Sequence, residues 1–438
     1  MSAQSVKLGI CGLGTVASGV IHLFQEHAGV IRDRSGVVLE LAHIGARRDN
    51  PACDTSSYKV SRDIFDVVRD PNVDVVVELI GGTTVAHELV KEALANGKHV
   101  ITANKALIAE HGNKLIEAAE SAGLALCFEA AVAGGIPILK TLREALAGNR
   151  VDGVAGIING TGNFILTEMA SAGRSFDDVL REAQALGYAE ADPTFDIDGT
   201  DAAHKLVILA ALAFGMPLDI DGPFCEGIDR VAPEDLNFAQ ELGYRIKHLG
   251  IARRVGDKVD LRVHPTLIPC DKQIANVDGV LNAITVSADA VGELVLVGPG
   301  AGSLPTASAV WGDIVDVARA LGSGQRFTVS PLGVPQSQLN DPPRVAKADI
   351  KTPWYLRFSA QDRPGVMAEI TRLLGTEGIS IESLLQRPPV AGAASVHVVM
   401  LTDIAAGAAV ERAIAQIEAL PAISGGIVAL RVETFEGS

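Results

Sequence analysis

Val6-Lys7-Leu8-Gly9-Ile10-Cys11-Gly12-Leu13-Gly14-Thr15-Val16-Ala17 is the stretch whose reading decides the fold. An apolar, β-prone run ends in glycines spaced G-x-G, and Ala17 completes the pattern G-x-G-x-x-G/A. Gly12 permits a tight turn, Gly14 lets backbone approach a pyrophosphate, and the small Ala17 lets a helix lie close to the strand. An anion would then sit on the free N–H groups of the helix N-terminus. Such a turn alone also occurs in unrelated α/β proteins, so its surroundings have to agree.

They do agree. Strands are expected at 6–11, 39–46, 73–80, 99–102 and 124–128, with helices at 16–32, 84–96 and 110–122 between them. Alternating β and α implies a doubly wound parallel sheet of Rossmann type, an α/β fold. Beyond residue 134 the rhythm is lost. Helices at about 137–147, 176–186, 201–215 and 234–250 and strands at 259–268, 280–288 and 292–297 suggest an α+β domain. Residues 298–310, GPGAGSLPTASAV, form a loop running into a helix at 306–322. Residues 323–350 are rich in Pro, Gln, Ser and Asp and read as a linker. The pattern then restarts: strand 355–360, a DRPGV turn with Pro364 near the start of helix 364–377, strands 380–386 and 395–402, helix 405–418 and strand 426–432. That βαββαβ order is a ferredoxin-like unit. The expected domains are 1–133 together with 298–325, 134–297, a linker at 326–350, and 351–438.

Composition narrows the function. A chain of 438 residues suggests about two to four domains. Lys and Arg number 37 against 53 Asp and Glu, a net charge of −16, so nucleic acid and anionic membrane are poor partners. Hydrophobic residues at 48% and charged ones at 21% fit a globular rather than a disordered chain. No apolar run approaches the roughly 18 residues that span a bilayer. The start, MSAQSVKLGICG, lacks the basic and apolar regions of a signal peptide. Cys11, Cys53, Cys127, Cys225 and Cys270 are scattered, without CxxC, which fits a reducing cytosol and a cytoplasmic location.

The end of the second strand bears on cofactor choice. Gly45-Ala46-Arg47-Arg48-Asp49 offers two arginines to a ribose 2′-phosphate, favouring NADP, while Asp49 is the weaker alternative for the 2′-OH of NAD. A solvated charge run is the other reading.

Residues 183–205 read AQALGYAEADPTFDIDGTDAAHK. Glu190, Asp192, Asp196, Asp198 and Asp201 precede Lys205. The helix that follows is apolar nearly all round and should be buried. Asp201 and Lys205, at i and i+4, share a face of its first turns. Lys105, in Thr102-Ala103-Asn104-Lys105, follows a strand, and ligands on open parallel sheets bind outside the carboxyl ends of strands. The competing readings are an exposed acidic loop with a surface ion pair, worth about 0–1 kcal/mol, and a surface lysine.

These residues carry a resemblance. Ala183, Gly187, Tyr188, Asp192-Pro193, Asp196, Gly199, Asp201 and Lys205 resemble the homoserine dehydrogenase signature. GLGTV at 12–16, TANKAL at 102–107, GTGNFIL at 160–166 and GAGSLPTASAV at 300–310 are similar to that family too. Together they cover roughly residues 6–325, and Ala17 in place of a third glycine is a departure the fold tolerates. The resemblance implies reversible NAD(P)H-dependent reduction of L-aspartate 4-semialdehyde to L-homoserine, in threonine, methionine and isoleucine biosynthesis. It implies Lys205 as proton donor, with Lys105 assisting proton transfer or holding substrate. It implies Glu190 on the substrate α-ammonium, Asp196 and Asp201 as further polar contacts, and Gly187 and Tyr188 lining the pocket. Its nucleotide contacts fall on Gly12, Leu13, Gly14, Thr15, Val16, Arg47, Arg48, Gly81, Thr83, Lys105 and Gly302. The middle domain becomes the catalytic and dimerisation domain, and a homodimer or homotetramer is expected.

Residues 129–137, EAAVAGGIP, resemble the same family's monovalent-cation loop. Glu129, Val132, Gly134 and Ile136 would hold sodium or potassium through one carboxylate and backbone carbonyls, a hard oxygen set. A glycine hinge with Glu129 as a cap is the alternative. No Cys/His spacing suggests zinc.

Residues 353–435, from Trp354-Tyr355-Leu356-Arg357-Phe358 through Asp362-Arg363-Pro364-Gly365-Val366-Met367, resemble an ACT domain. That implies amino-acid regulation, with L-threonine the expected effector at Asp362, Gly365 and Val366. ACT sequences often carry Asn on the second strand, where this chain has Ile381-Glu382-Ser383. A purely structural dimerisation module is the alternative. For the whole chain, the alternatives are another NAD(P)-dependent semialdehyde or hydroxy-acid oxidoreductase, or an amino-acid-sensing regulator. A phosphorylating aldehyde dehydrogenase would need a catalytic cysteine, and Cys127 reads as a strand residue.

Overall fold

The computed structural model describes residues 5–387 and 395–435. The chain folds into two compact units, one of residues 1–160, 201–222 and 280–342, the other of 161–200, 223–279 and 343–438.

The first unit opens with β1 (Ser5–Cys11), α1 (Thr15–Ser35), β2 (Val38–Gly45), β3 (Val60–Ser61), α2 (Phe65–Arg69), β4 (Val75–Glu78), α3 (Thr84–Ala95), β5 (His99–Thr102), α4 (Lys105–Ala122) and β6 (Leu126–Cys127). The strands form one sheet in the order β3-β2-β1-β4-β5-β6, and each neighbouring pair is parallel. This is the doubly wound sheet that the alternation predicts. Val75, Val76 and Val77 are wholly buried, as a strand covered by helices on both faces requires. Helix Ser303–Gly322, far along the chain, packs on α1. The Trp311 indole donates to the Val20 carbonyl at 2.9 Å and its ring stacks on Phe24. Gly19 is required there, because a Cβ would lie 2.6 Å from the Ser303 carbonyl oxygen. The first unit also holds an antiparallel set, Val151–Ile157, Leu281–Ala288 and Gly292–Pro299, and the apolar helix Thr200–Phe214.

The second unit contains helices Gly160–Ala172, Phe176–Ala185 and Pro233–Glu241, and the long hairpin Tyr244–Val255 with Lys258–Pro269. Its last part runs strand Trp354–Gln361, helix Val366–Thr376, strands Ile381–Gln386 and Ser395–Thr402, helix Gly407–Glu418 and strand Ile423–Val432. The four strands are antiparallel neighbours in the order fourth, first, third, second, so the βαββαβ expectation holds. This sheet does not end at its own edge. Its fourth strand pairs in parallel with the hairpin, Thr266 opposite Arg431 and Leu267 opposite Val432.

One expectation is overturned. The helix expected over 234–250 stops at Glu241, Gly243 turns the chain at φ +83°, and Tyr244–Val255 is a strand. Residues 246–252 are buried without alternation, so the period-2 signal of a strand was absent. Strand Val151–Ile157 and helix Gly160–Ala172 had no expectation; both are glycine-bearing, which weakens their patterns. The helix expected from 364 begins at Val366, after Gly365 at φ +92°. Among the described residues no helix is long and apolar enough to cross a membrane.

Candidate active site

The nucleotide turn has the geometry its glycines imply. Gly12 sits at φ +101°, and a Cβ on it would lie 2.6 Å from the Leu79 carbonyl oxygen. Its N–H donates to Gly45 O at 2.8 Å, tying the turn to the end of β2. Gly14 is the N-cap of α1, makes no side-chain cap, and has open space where a Cβ would be. A helix N-terminus opened by glycine without a side-chain cap is the geometry that suits a phosphate. Ala17 is fully buried against the sheet. The Ser303 hydroxyl donates to Thr15 O at 2.7 Å, bringing Gly302 (φ +115°) beside this turn. Leu13 and Val16 pack on the core at its edge.

Two further strand ends join this rim. Gly81 lies after β4 at φ +73°, and Thr83 is the N-cap of α3. Glu78, at the end of β4, is a residue the sequence reading missed. Its carboxylate is fully buried and accepts from the N–H groups of Ile80 (2.8 Å) and Gly81 (3.3 Å) and from the Thr102 hydroxyl (2.5 Å). Asn104 Nδ2 in turn donates to Gly82 O at 2.6 Å. Burial pushes the Glu78 carboxyl up, and these hydrogen bonds oppose the shift. Glu78 thus fixes the loop after β4 to the loop that presents Lys105. Its signal was there: one acid closing an otherwise apolar strand.

Arg47 and Arg48 are exposed just past β2. Asp49 is held by Arg62, whose Nη2 reaches both carboxylate oxygens at 2.9 and 3.0 Å. Arg62 was not anticipated; it lies beyond β3, which pairs with β2.

The cluster expected to be catalytic centres on Asp201. It stands in the first turn of helix Thr200–Phe214, only 4% exposed. Lys205 Nζ donates to Asp201 Oδ2 at 2.6 Å and to Ile158 O at 2.7 Å. Lys105 Nζ, at the start of α4, lies 3.1 Å from Asp201 Oδ1. Asn159 Nδ2 donates to Oδ2 at 2.8 Å. Burial alone would raise the Asp201 pKa, but the two ammonium groups and the bonds from Lys205 and Asn159 hold it well below the usual carboxylate range. A buried carboxylate therefore carries two lysines, one 13% and one 34% exposed at the side chain. The exposed-loop and surface-lysine readings fail for Asp201, Lys205 and Lys105.

The other acids of this stretch behave differently. Asp192 accepts from the Thr194 N–H and hydroxyl, and Asp198 from the Thr200 N–H, so both shape turns. Within the second unit, Gly187 turns at φ +76° and the exposed Tyr188 ring meets Phe164 edge-on at 5.1 Å. The Tyr188 carbonyl accepts from the Thr161 hydroxyl at 2.6 Å. Glu190 is exposed and Asp196 half-buried.

The loop after β6 is tightly built. Glu129 is buried, and its carboxylate accepts from the N–H groups of Leu139 (2.9 Å) and Lys140 (2.7 Å). Ala133 and Gly134 take positive φ, which curls the loop. The Ile136 carbonyl accepts from Ile138, whereas among the described residues the carbonyls of Val132 and Gly134 accept no hydrogen bond. A carboxylate and free carbonyls suit a hard monovalent cation, and no cluster of three His, Cys, Asp or Glu side chains is present among the described residues. Cys127, next to this loop, is buried, and burial pushes its thiol well up, away from the reactive thiolate.

Comparison with known proteins points to one family. Residues 12–129 match the family model "Homoserine dehydrogenase, NAD binding domain", residues 137–315 match "Homoserine dehydrogenase", and residues 354–422 match "ACT domain". A homoserine dehydrogenase of Pseudomonas aeruginosa is 53% identical, covering 98% of this chain and 99% of that one. One of Neisseria gonorrhoeae is 46% identical over 99% of each. The crystal structure of a homoserine dehydrogenase from Thiobacillus denitrificans superposes with a TM-score of 0.93 at 48% identity, covering 98% of this chain and 99% of that one. A hyperthermophilic archaeal homoserine dehydrogenase in complex with NADPH gives a TM-score of 0.61 at 28% identity, over 72% of this chain and 98% of that one.

Proposed function

The chain belongs to the homoserine dehydrogenase family, and from that premise we propose that it reduces L-aspartate 4-semialdehyde to L-homoserine with NADPH, and runs the reverse reaction. The observation that carries the reading is the pair of lysines held on one buried aspartate at the carboxyl-end rim of the parallel sheet. A nicotinamide dinucleotide bound on the glycine turn supplies the hydride, and residues 12–17 fit its pyrophosphate.

The chain's own residues do the rest. As the aldehyde carbon accepts hydride, negative charge grows on its oxygen. Lys205 Nζ, fixed by Asp201 and Ile158 O, stabilises that charge and gives the oxygen a proton. Lys105, on the other oxygen of Asp201, assists that transfer or holds the substrate. Asp201 keeps both ammonium groups in place and offsets their mutual repulsion. Glu190 takes the substrate α-ammonium, Asp196 adds a polar contact, and Gly187 and Tyr188 line the pocket. Arg47 and Arg48 select the 2′-phosphate of NADP, a reading supported by Arg62 already occupying Asp49, the NAD alternative. Gly81, Thr83 and Gly302 complete the cofactor rim, and Glu129, Val132, Gly134 and Ile136 hold sodium or potassium.

The assembly is a homodimer or homotetramer, with 1–133 and 298–325 binding cofactor, 134–297 holding substrate and dimerising, 326–350 linking, and 351–438 sensing L-threonine at Asp362, Gly365 and Val366. The decisive experiment follows NADPH absorbance with L-aspartate 4-semialdehyde, repeated with NADH. Rapid oxidation supports the reading. A folded protein that binds NADPH without turnover would shift the substrate to another carbonyl compound.

A further inference from the structure

Glu78 closes β4 and Thr102 closes β5, and the two stand in register across the parallel pair. On its other side Glu78 is in register with Cys11, the residue before Gly12. It therefore stands where three strand-end loops meet: the glycine turn, residues 79–83 and residues 103–104. Leu79 N–H donates to Cys11 O at 2.8 Å, and the Leu79 carbonyl is the group that leaves no room for a Cβ on Gly12.

The two carboxylate oxygens of Glu78 serve different loops. Oε1 accepts from the N–H groups of Ile80 and Gly81, and Oε2 accepts from the Thr102 hydroxyl. Thr102 Oγ1 in turn accepts the Asn104 N–H at 3.0 Å. Asn104 caps α4, its Oδ1 accepting the Leu107 N–H at 3.1 Å, and its Nδ2 donates to Gly82 O at 2.6 Å. The bonds close into a ring that holds residues 80–82 against the start of α4. Lys105 is the first residue of that helix, and its Nζ reaches from there to Asp201 Oδ1 at 3.1 Å.

The donors on the Glu78 carboxylate are all neutral, although the side chain is fully buried. Burying a carboxylate without a counter-charge is costly, and an aliphatic residue would fill the strand end without that cost. What the carboxylate adds is reach and two acceptor oxygens aimed at two loops.

We propose that Glu78 is a positioning residue for the reduction: it acts through Lys105, by setting where the first turn of α4 stands against the cofactor rim at 80–83, and it does so by side-chain length and not by charge. This role rests on the reaction proposed above; the ring of hydrogen bonds does not. A shift of the first turn of α4 would disturb the Lys105–Asp201 contact, while Lys205, on another helix and held by Ile158 O, keeps its place. A misplacement of about 1 Å at a reacting group can cost on the order of 100-fold in rate.

The test compares two substitutions at this position in the full chain. Glu78→Asp withdraws the carboxylate by one bond, ~1.5 Å, so it can no longer reach both loops. Its kcat should fall about tenfold to hundredfold. Glu78→Gln keeps the length and both bonds to Oε1 and turns an amide toward Thr102 Oγ1, so its kcat should fall less than about threefold. In a Lys105→Ala background, Glu78→Asp should cost no more than about twofold further, because effects that pass through one residue do not add. Hydrogen exchange followed by mass spectrometry reads the ring without turnover. Exchange should quicken in Glu78→Asp at residues 80–83 and 104–107 together, and stay near wild type in Glu78→Gln. Thermal melts check folding, and Thr102→Val, which cuts the ring at Oε2, replaces Glu78→Asp in every arm if that variant does not fold.

Wild-type kcat in Glu78→Asp would overturn the proposal. So would a Glu78→Gln variant as impaired as Glu78→Asp, which would make charge the cause, or a full further loss in the Lys105→Ala background, which would place the action elsewhere. Quickened exchange confined to residues 80–83 would overturn the tie to α4. A wild type without turnover would fault the proposed reaction, and the role through Lys105 with it, whereas the exchange result would still decide whether Glu78 joins the two loops.

Discussion

Asp201 and Lys105 meet at 3.1 Å although one opens helix Thr200–Phe214 and the other opens the helix that follows the fifth strand of the parallel sheet. The contact places a second ammonium opposite Lys205 across one buried carboxylate, an arrangement unlike a surface ion pair.

Lys205→Ala removes the proposed proton donor while leaving the glycine turn intact. General acid catalysis contributes about 10²–10⁴-fold, so kcat should fall by that order with NADPH affinity unchanged. Steady-state kinetics with a fluorescence titration of NADPH measures both. Near-normal turnover would remove Lys205 from the mechanism.

Asp201→Asn leaves two ammonium groups without their shared counter-charge. Breaking a buried pair costs about 3–5 kcal/mol, which denaturant melts at pH 7 should show. The wild-type carboxylate has a depressed pKa in the folded state. Its contribution is therefore full above the unfolded value near ~3.9 and lost as pH falls toward the lower folded value. The gap between wild type and variant should narrow below about pH 4. A gap independent of pH would mean that Asp201 acts by shape and not by charge.

Arg47→Ala should raise KM for NADPH about tenfold or more and leave KM for NADH nearly unchanged, since a lost charge-assisted contact is worth about 1.5–3 kcal/mol. Arg62→Ala should move preference the same way by releasing Asp49 near the ribose. An unchanged NADPH/NADH ratio in Arg47→Ala would assign the 2′-phosphate elsewhere.

Glu129→Gln should flatten any rise of activity with NaCl or KCl, measured against choline chloride at equal ionic strength. It also weakens the acceptor for the Leu139 and Lys140 N–H groups, so the melting temperature should fall in choline. A salt response that survives the substitution would leave Glu129 as a helix cap only.

L-threonine inhibition, if it acts through the ACT-like turn, should be lost in Asp362→Asn. Removing residues 351–438 is a poor test, because the last strand pairs with Thr266 and Leu267. Glu433 is also bound to Arg253 and Arg262 at 2.8 Å each, so truncation would strip the hairpin. Inhibition intact in Asp362→Asn would place the effector elsewhere.

The sequence by itself determined the local and periodic features. Gly12 specifies a turn because only glycine tolerates φ +101° with the Leu79 carbonyl oxygen so close. Alternating runs specify a parallel sheet, and Asp201 and Lys205 at i and i+4 must share a helix face. The βαββαβ tail was legible for the same reason, since strand Ile381–Gln386 alternates and helices Val366–Thr376 and Gly407–Glu418 bury one face each. Tertiary structure alone decided what lies far apart in the chain. It joined Lys105 to Asp201, set Arg62 on Asp49, and made Glu78 the tie between two strand ends. It also turned residues 244–255 into a strand, because burial on both faces erases the alternation by which a strand is recognised. Contacts between distant residues depend on how layers pack, and no spacing along the chain records that.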